Sequence, residues 1–463
     1  MPAPPPLQLT IVGAGFSGTL TAVHLLRQSD RAVHLHLVER DPAQFCRGVA
    51  YGSAGRCHLL NVPAARMSAL PDQPDHFLQW AGARAERLVD ARWVPEVGPD
   101  AFLPRRAYGD YLAELLDQAE EAGSRMHRLH RHHDKAVGLD QDARGLVLHL
   151  ASGTSLRTDR LVLALGNFPP GHPAPSGAGF LSSPRYHRNP WRAGALEAVL
   201  RAPSCLLAGS GLTMVDWVLA LDDAGYEGTI HTLSRRGLWP QGHAQTRATR
   251  FRLVEEPPSV RRWLRQMREA VAAEGGQWHA VVDSLRPATA ALWARLPASE
   301  RQRFLRHLRP FWEVHRHRVA PRVAHRLHSL LEAGRIVHHA GRILDGVDTG
   351  GAITLQVRRR GASVTTDLRV GAVVNCSGAD GNYRRLESTL VDTLLRGGLM
   401  VPDRLGLGLR ITPEGALLDG QGRPSARLFT LGPACKGLVW ESTAVPELRG
   451  QAAKLAGHLL ATA

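Results

Sequence analysis

Lysine is almost missing from this chain. Three of the 57 basic residues, Lys135, Lys436 and Lys454, are lysines, so arginine carries nearly all of the formal net charge of +15. No Lys/Arg-rich run or nucleic-acid-binding module accompanies that charge, so no nucleic-acid partner is expected. Affinity for anionic cofactors is the simpler use of it. Cysteine is scarce too. Cys46, Cys57, Cys205, Cys376 and Cys435 form no C-x-x-C pair and are odd in number, which argues against a disulfide framework and a zinc site. Buried thiols are expected instead, and no metal. No apolar run approaches the roughly 20 residues of a membrane span, so no membrane partner is expected. The stretch MPAPPPLQLT has no basic start and no long apolar run, so no signal peptide is expected and a cytoplasmic location is the default.

What is present points to nucleotides. A length of 463 residues predicts two or three domains. The stretch LTIVGAGFSG is a β-branched apolar run closing in Gly13-Ala14-Gly15-Phe16-Ser17-Gly18, and a helical pattern follows it. Gly13 allows the tight turn, Gly15 lets a pyrophosphate approach the backbone, and Gly18 lets helix and strand pack closely. The helix N-terminus, with Phe16 and Ser17, would face the phosphates. The next strand, VHLHLVER, ends at Glu39-Arg40, 21 residues past Gly18, where a carboxylate would take the ribose hydroxyls.

The device recurs at CLLAGSGLTMVDWVLAL. Gly209 and Gly211 match the first two glycines, Thr213 follows, and Met214 stands at the third position. That third glycine serves packing rather than phosphate contact, so the second site should still bind. The strand after it ends in Ser234-Arg235-Arg236, where arginine rather than a carboxylate suits a 2′-phosphate. The alternative is two solvated arginines at a strand end. One copy is therefore expected to hold FAD and the other NADPH, which would let a hydride pass from nicotinamide to flavin.

The expected fold class is α/β, with two Rossmann-like dinucleotide-binding domains and a helical insert. An FAD domain over 1–195 resumes at 371–463, and an NADPH domain over 196–370 carries helices at 250–335. The stretches DRLVLALGNFPPG and GAVVNCSGADGN end apolar strands at Gly166 and Gly378 and would link the domains. Gly432 begins a glycine loop before the C-terminal helix, whose start is expected between Glu441 and Val445. The insert has 17 arginines against 8 acidic residues. It carries Trp263, Trp278, Trp293 and Trp312, expected mostly as core. His315 and His317 lie two apart, on different sides of a helix, so they are not expected to share a metal.

The stretches IVGAGFSGT, GVAYGSAGRCHLLNVPAARMSA, FLPRRAYGDYL, GSGLTMVD, SRRG, FWEVHRHR and LGPACKGLVWESTAVPELR resemble a bacterial family of NAD(P)/FAD-binding proteins related to class B flavin monooxygenases. The resemblance implies an NADPH-dependent hydroxylase that uses O2 through a flavin hydroperoxide on a small soluble substrate. The first expectation is urate, in purine catabolism. The alternatives are N-hydroxylation of an amino compound, or a reductase or oxidase passing electrons to a partner. It also implies FAD contacts for Asn61 and Met67, and a cofactor or substrate contact for Arg105 or Arg106. No side chain reads as a general acid or base. Arg286, Trp312 and Arg316 are the candidate substrate residues for a planar anion.

Overall fold

The computed structural model describes residues 5–52, 55–245, 249, 251–254 and 256–462. Ser53 and Ala54 of the GVAYGSAG stretch, and Arg250 and Glu255 at the start of the expected insert, lie outside the described residues. The chain divides into two compact units. One comprises 1–56, 62–168 and 381–463, the other 57–61 and 169–380.

In the first unit the strand Leu7–Val12 is central. Beyond Gln8 its side chains are apolar or threonine on both faces, and Leu9, Thr10 and Ile11 are all buried. That is the pattern of a parallel strand covered on both sides. The six-stranded sheet runs in the order Ala416–Leu418, Pro424–Thr430, Arg160–Leu163, Leu7–Val12, Val33–Val38, Arg128–His132. All neighbours are parallel except the edge pair Ala416–Leu418 and Pro424–Thr430. The chain leaves Leu7–Val12 to one side and returns on the other. Its carboxyl end is therefore a topological switch point, where such sheets open a crevice. The helices Phe16–Gln28, Arg105–Gly123 and Val445–Ala461 pack together. A three-stranded antiparallel sheet, Ala136–Asp142, Gly145–Leu150 and Ser155–Thr158, shares a core with the main sheet through Leu146, Leu148, Leu161, Leu163 and Leu428.

The second unit repeats the plan. Its seven-stranded sheet runs Thr365–Val370, Ile353–Arg359, Ile336–Asp348, Thr229–Ser234, Ser204–Ala208, Ala372–Asn375, Tyr186–His187. Ser204–Ala208 has parallel neighbours on both sides, so it too ends at a switch point. The 13-residue strand Ile336–Asp348 begins parallel to Thr229–Ser234, then bulges and turns antiparallel to Ile353–Arg359.

The expected boundaries at 195 and 370 fall inside the second unit. The crossings lie at 168/169 and 380/381, because Tyr186–His187 and Ala372–Asn375 pair within the second sheet. The insert is helical as expected over Val260–Ala273, but the arginine-rich stretch after Pro287 breaks into Thr289–Arg295, Ala298–Arg303, a π-turn Phe304–Leu308 and Arg309–Arg316. Pro297 and Pro310 account for two of the breaks, since each lacks the N–H a continuous helix would use. Pro321–Glu332 feeds the parallel strand Ile336–Asp348, so it is a crossover helix rather than part of an insertion. Trp263 and Trp293 are core, while Trp278 and Trp312 are half-buried. Among the described residues no helix is long and apolar enough to cross a membrane.

The helix Leu212–Asp223 explains Met214. In the first unit a Cβ at Gly18 would overlap the Gly13 carbonyl and press on Ile11 Cγ2 at 3.2 Å, so helix and strand meet backbone to backbone. In the second unit Met214 stands at that position and is fully buried. Met214→Ala is expected to cost about 2–5 kcal/mol, read as a lower urea midpoint. An unchanged midpoint would mean that the helix does not lean on this side chain.

Candidate nucleotide-binding sites

Each glycine turn is held from both sides. The Gly13 amide donates to the Val38 carbonyl at 2.8 Å, and the Ala164 amide donates to Val12 at 2.8 Å. The Gly209 amide donates to Leu233 at 2.8 Å, and the Cys376 amide to Ala208 at 2.9 Å. Both glycines have positive φ, +99° and +137°. At both, an added Cβ would overlap the carbonyl of the returning strand, Ala164 in one and Cys376 in the other. Gly15 and Gly211 then serve as extended N-caps of Phe16–Gln28 and Leu212–Asp223. The first-turn amides of each helix lack partners within the helix and point outward with the positive end of its dipole, which favours an anion.

In the first unit Glu39 lies at the end of Val33–Val38 and is 9% exposed. Its carboxylate accepts from the Ala14 amide at 3.0 Å and the Asp41 amide at 3.2 Å. The glycine loop and the Glu39 carboxylate, expected to take the ribose hydroxyls, are thus tied to one another. Arg40 beside it is exposed. The chain after Glu39 folds back over the loop. The Cys46 amide donates to Ala14 at 2.7 Å, and a Cβ at Gly15 would lie 3.3 Å from the Gly48 Cα. The bareness of Gly15 therefore admits a neighbouring backbone as well as the pyrophosphate expected there. A Cβ at Gly432 would lie 3.1 Å from the Ser17 Oγ, so the C-terminal glycine loop reaches the start of the first helix. Gly166 follows Arg160–Leu163 with open space on its Cβ side. Met67 is core, Arg105 is half-buried and Arg106 is exposed at the start of Arg105–Gly123. The C-terminal helix starts at Val445, at the end of the expected span, and Arg449 on it donates to the Ser68 carbonyl at 2.9 Å.

An aromatic cluster beside this loop went unrecognised. Phe16 lies 6.0 Å from both Tyr51 and Tyr108, and Tyr51 lies 4.7 Å from Tyr108, ring centre to ring centre. The Tyr108 hydroxyl is buried with no hydrogen-bond partner. Gly109 lets this helix meet the Tyr51 carbonyl, and Arg47 pairs with Asp110. The signal was in the sequence, in GVAYG and AYGDY, but nothing there said that the two stretches touch.

Asn61 and Gly378 belong to the second unit, not to the FAD unit as expected. His243 Nε2 donates to the Asn61 carbonyl at 3.0 Å. Gly378 follows the strand Ala372–Asn375 of the second sheet.

At the second switch point Thr213 is half-buried on the first helical turn. Ser234 Oγ accepts from the Gly237 amide at 3.1 Å, closing the turn that carries Arg235 and Arg236. Arg235 is exposed, yet its pKa is lowered, first by partial removal from water and then by the positive charges of Arg342, Arg309 and Arg236. Arg236 lies 5.2 Å from the Phe311 ring and donates to the Arg306 carbonyl at 3.0 Å. Guanidiniums that repel one another beside a nucleotide turn make a seat for a phosphate. Arg309 and Arg342 were missed because only the fold brings them there. Ser234 pairs with Ala340 on the neighbouring strand, which places Arg342 two residues further along.

The three candidate substrate residues stand on two elements of this unit. Arg286 opens the short turn Arg286–Ala288, while Trp312 and Arg316 lie on Arg309–Arg316. Arg316 is 8% exposed, and the Trp312 Nε1 is buried without a partner. All five cysteines are buried and none forms a disulfide. Burial pushes the Cys46 thiol up to about 11, those of Cys205 and Cys435 to about 12, and that of Cys376 well above its ordinary value. Such thiols are poor nucleophiles. Among the described residues no three His, Cys, Asp or Glu side chains form a metal-holding group.

Residues 10–168 match a protein family described as FAD-NAD(P)-binding. No curated protein matches the chain. The fold is that of several flavoenzymes of known structure. An L-lysine 6-monooxygenase from Pseudomonas syringae is 17% identical, with a TM-score of 0.67 over 98% of this chain and 99% of that one. An ornithine hydroxylase from Pseudomonas aeruginosa is 16% identical, with a TM-score of 0.66 over 99% of this chain and all of that one. A bacillithiol disulfide reductase from Staphylococcus aureus is 10% identical, with a TM-score of 0.57 over 98% of each chain.

Replacing Arg235 and Arg236 by alanine, or Arg342 alone, is expected to raise the KM for NADPH about tenfold or more while that for NADH moves little. Steady-state kinetics with both nucleotides checks it. Equal changes for the two would remove these arginines from 2′-phosphate recognition.

Proposed function

We propose that the chain is an FAD-dependent, NADPH-using monooxygenase that N-hydroxylates a small amino compound. The observation that carries the reading is the repeated glycine turn at two switch points, finished by a carboxylate in one unit and by arginines in the other. In the first unit the turn at Gly13, the helix start at Phe16–Ser17 and the Glu39 carboxylate fit an FAD pyrophosphate and ribose. In the second, Gly209, the helix start at Thr213 and the cluster of Arg235, Arg236, Arg309 and Arg342 fit NADPH. When bound, FAD supplies the chemistry that activates O2, and NADPH supplies the hydride. The chain's own part is to hold both nucleotides by their phosphates and riboses and to limit access of water.

The likeness in fold to a lysine and an ornithine hydroxylase supports an amine over urate as substrate. The urate reading depends on Trp312 and Arg316, which share the helix Arg309–Arg316, and on Arg286, which lies on another element. The bacillithiol disulfide reductase shares the fold as well, so a reductase is the competing reading. The cysteines oppose it in its thiol-using form, because burial raises the pKa of the Cys46, Cys205, Cys376 and Cys435 thiols and none of the five lies in a C-x-x-C pair.

The deciding experiment follows NADPH loss by the FAD-loaded protein in air, with hydrogen peroxide measured alongside, on L-ornithine, L-lysine, diamines and urate. The expected result is faster NADPH loss with one amine while peroxide stays low and a hydroxylamine forms. Stimulation by urate would reverse the substrate choice. NADPH loss recovered wholly as peroxide, or faster loss only with a disulfide, would overturn the monooxygenase reading.

A further inference from the structure

The two units share a second feature, one strand away from the glycine turns. In the first unit His36 stands opposite His130 on the edge strand Arg128–His132. Its Nδ1 lies 2.9 Å from the Nε2 of His132, two residues beyond that partner. In the second unit His231 stands opposite Val337 on Ile336–Asp348. Its Nδ1 lies 3.1 Å from the Nε2 of His339, again two residues beyond the partner. The same two nitrogens meet on the same diagonal. In each unit the first histidine lies on the strand that ends at the recognition residues, Glu39 in one and Ser234-Arg235 in the other.

The partner strands hold those residues directly. The His132 carbonyl accepts the Glu39 amide at 2.9 Å. Ala340, next to His339, pairs with Ser234, and its Cβ lies 2.7 Å from where a Cβ of Gly237 would stand. A strand that slipped or parted here would carry the ribose carboxylate or the arginine turn with it.

We propose that the two histidine pairs are matched positioning devices, each clamping the strand that presents the nucleotide-recognising residues, and that acid opens both. Each pair shares one proton between two nitrogens. One added proton still leaves a single N–H···N bond between the rings; a further one makes both rings imidazolium ions in contact, with no carboxylate between them. Titratable and charged groups surround both pairs. His34 and His130 flank the first pair, with His133 beyond the edge strand and Gln8 on Leu7–Val12 at 3.4 Å from His34. Asp134 is the carboxylate nearby that acts on His132. His338 and Arg359, the latter on Ile353–Arg359, act on the second pair. Thr232 Oγ1 engages His338 at 2.6 Å.

The pKa directions agree with the geometry. Burial, then His130, His132 and His34, lowers His36 to about 4, and burial, then His231, Arg359 and His338, lowers His339 to about 4. His132 and His231 are lowered too, chiefly by burial. An opened pair would titrate near 6.5. The opened form therefore binds more protons between about 4 and 6.5, so the clamp weakens as pH falls through that window and is unaffected above it.

The inference rests on the assignment of FAD to the first unit and NADPH to the second. Its test uses the full-length holoenzyme from pH 8 to pH 5. FAD dissociation is read by flavin fluorescence, and NADPH affinity by the concentration dependence of anaerobic flavin reduction. In the wild type both dissociation constants should rise about tenfold or more between pH 7 and pH 5. Glutamine keeps a hydrogen bond but does not titrate. His36→Gln should match the wild type at pH 8 and flatten only the FAD profile. His231→Gln should flatten only the NADPH profile. His132→Gln and His339→Gln should repeat these two results, which covers a variant that fails to fold. Flat wild-type profiles, or variants that leave both profiles unchanged or alter both together, would overturn the proposal. A wild type that binds neither nucleotide at pH 8 would instead overturn the function on which it rests.

Discussion

The structure depends on two glycine backbones pinned between parallel strands. Gly13 and Gly209 each donate to the strand on one side and face the carbonyl of the strand on the other. No side chain fits between, and φ is positive at both. Everything nearby follows from that closeness. The chain must turn out of the sheet there, the next helix must start within two residues, and its unpaired amides must gather at the carboxyl ends of the strands. The sheet order then matters, because the returning strands Arg160–Leu163 and Ala372–Asn375 supply the carbonyls that close each turn.

The parts legible in the sequence were those encoded locally. The turn, the helix start, Glu39 and Arg235-Arg236 all lie within about thirty residues of their glycines, and alternation or β-branching marked the strands between. What could not be read is what the fold assembles from afar. Arg342 joins Arg235 only because a crossover helix delivers Ile336–Asp348 alongside Thr229–Ser234. Tyr51 meets Tyr108 only because Gly109 lets a helix approach the segment after the first βαβ unit. The domain boundaries were misplaced for a related reason. Tyr186–His187 is a two-residue strand, too short to show any periodicity, yet its pairing carries the chain from 169 onward into the second unit.

The third glycine position shows how far a motif can be bent without loss of its purpose. At Gly18 helix and strand touch through backbone; in the second unit the buried Met214 stands at that position. Phosphate binding needs neither, since the amides that face the anion belong to the residues just before. A pattern search that demands three glycines would discard the second site for a residue that decides packing alone.

Charge distribution explains why arginine so outnumbers lysine at the one place where its type can be examined closely. A phosphate seat of several cations must tolerate their mutual repulsion while empty. An ammonium in such company readily gives up its proton, and a guanidinium does not, because its own pKa lies so far above neutrality. Arg235 is pushed downward by partial burial and then by three neighbouring arginines, and stays charged at neutral pH nonetheless. Arginine also holds itself in place by other means than ion pairing. Arg236 rests against Phe311 and donates to a backbone carbonyl, while Arg309 also pairs with Glu313 at 3.3 Å, so a carboxylate offsets part of the cluster's charge. In the proposed NADPH site the same repulsion that would destabilise the empty turn would become selectivity when a dianion arrives, since a nucleotide without the 2′-phosphate would relieve none of it.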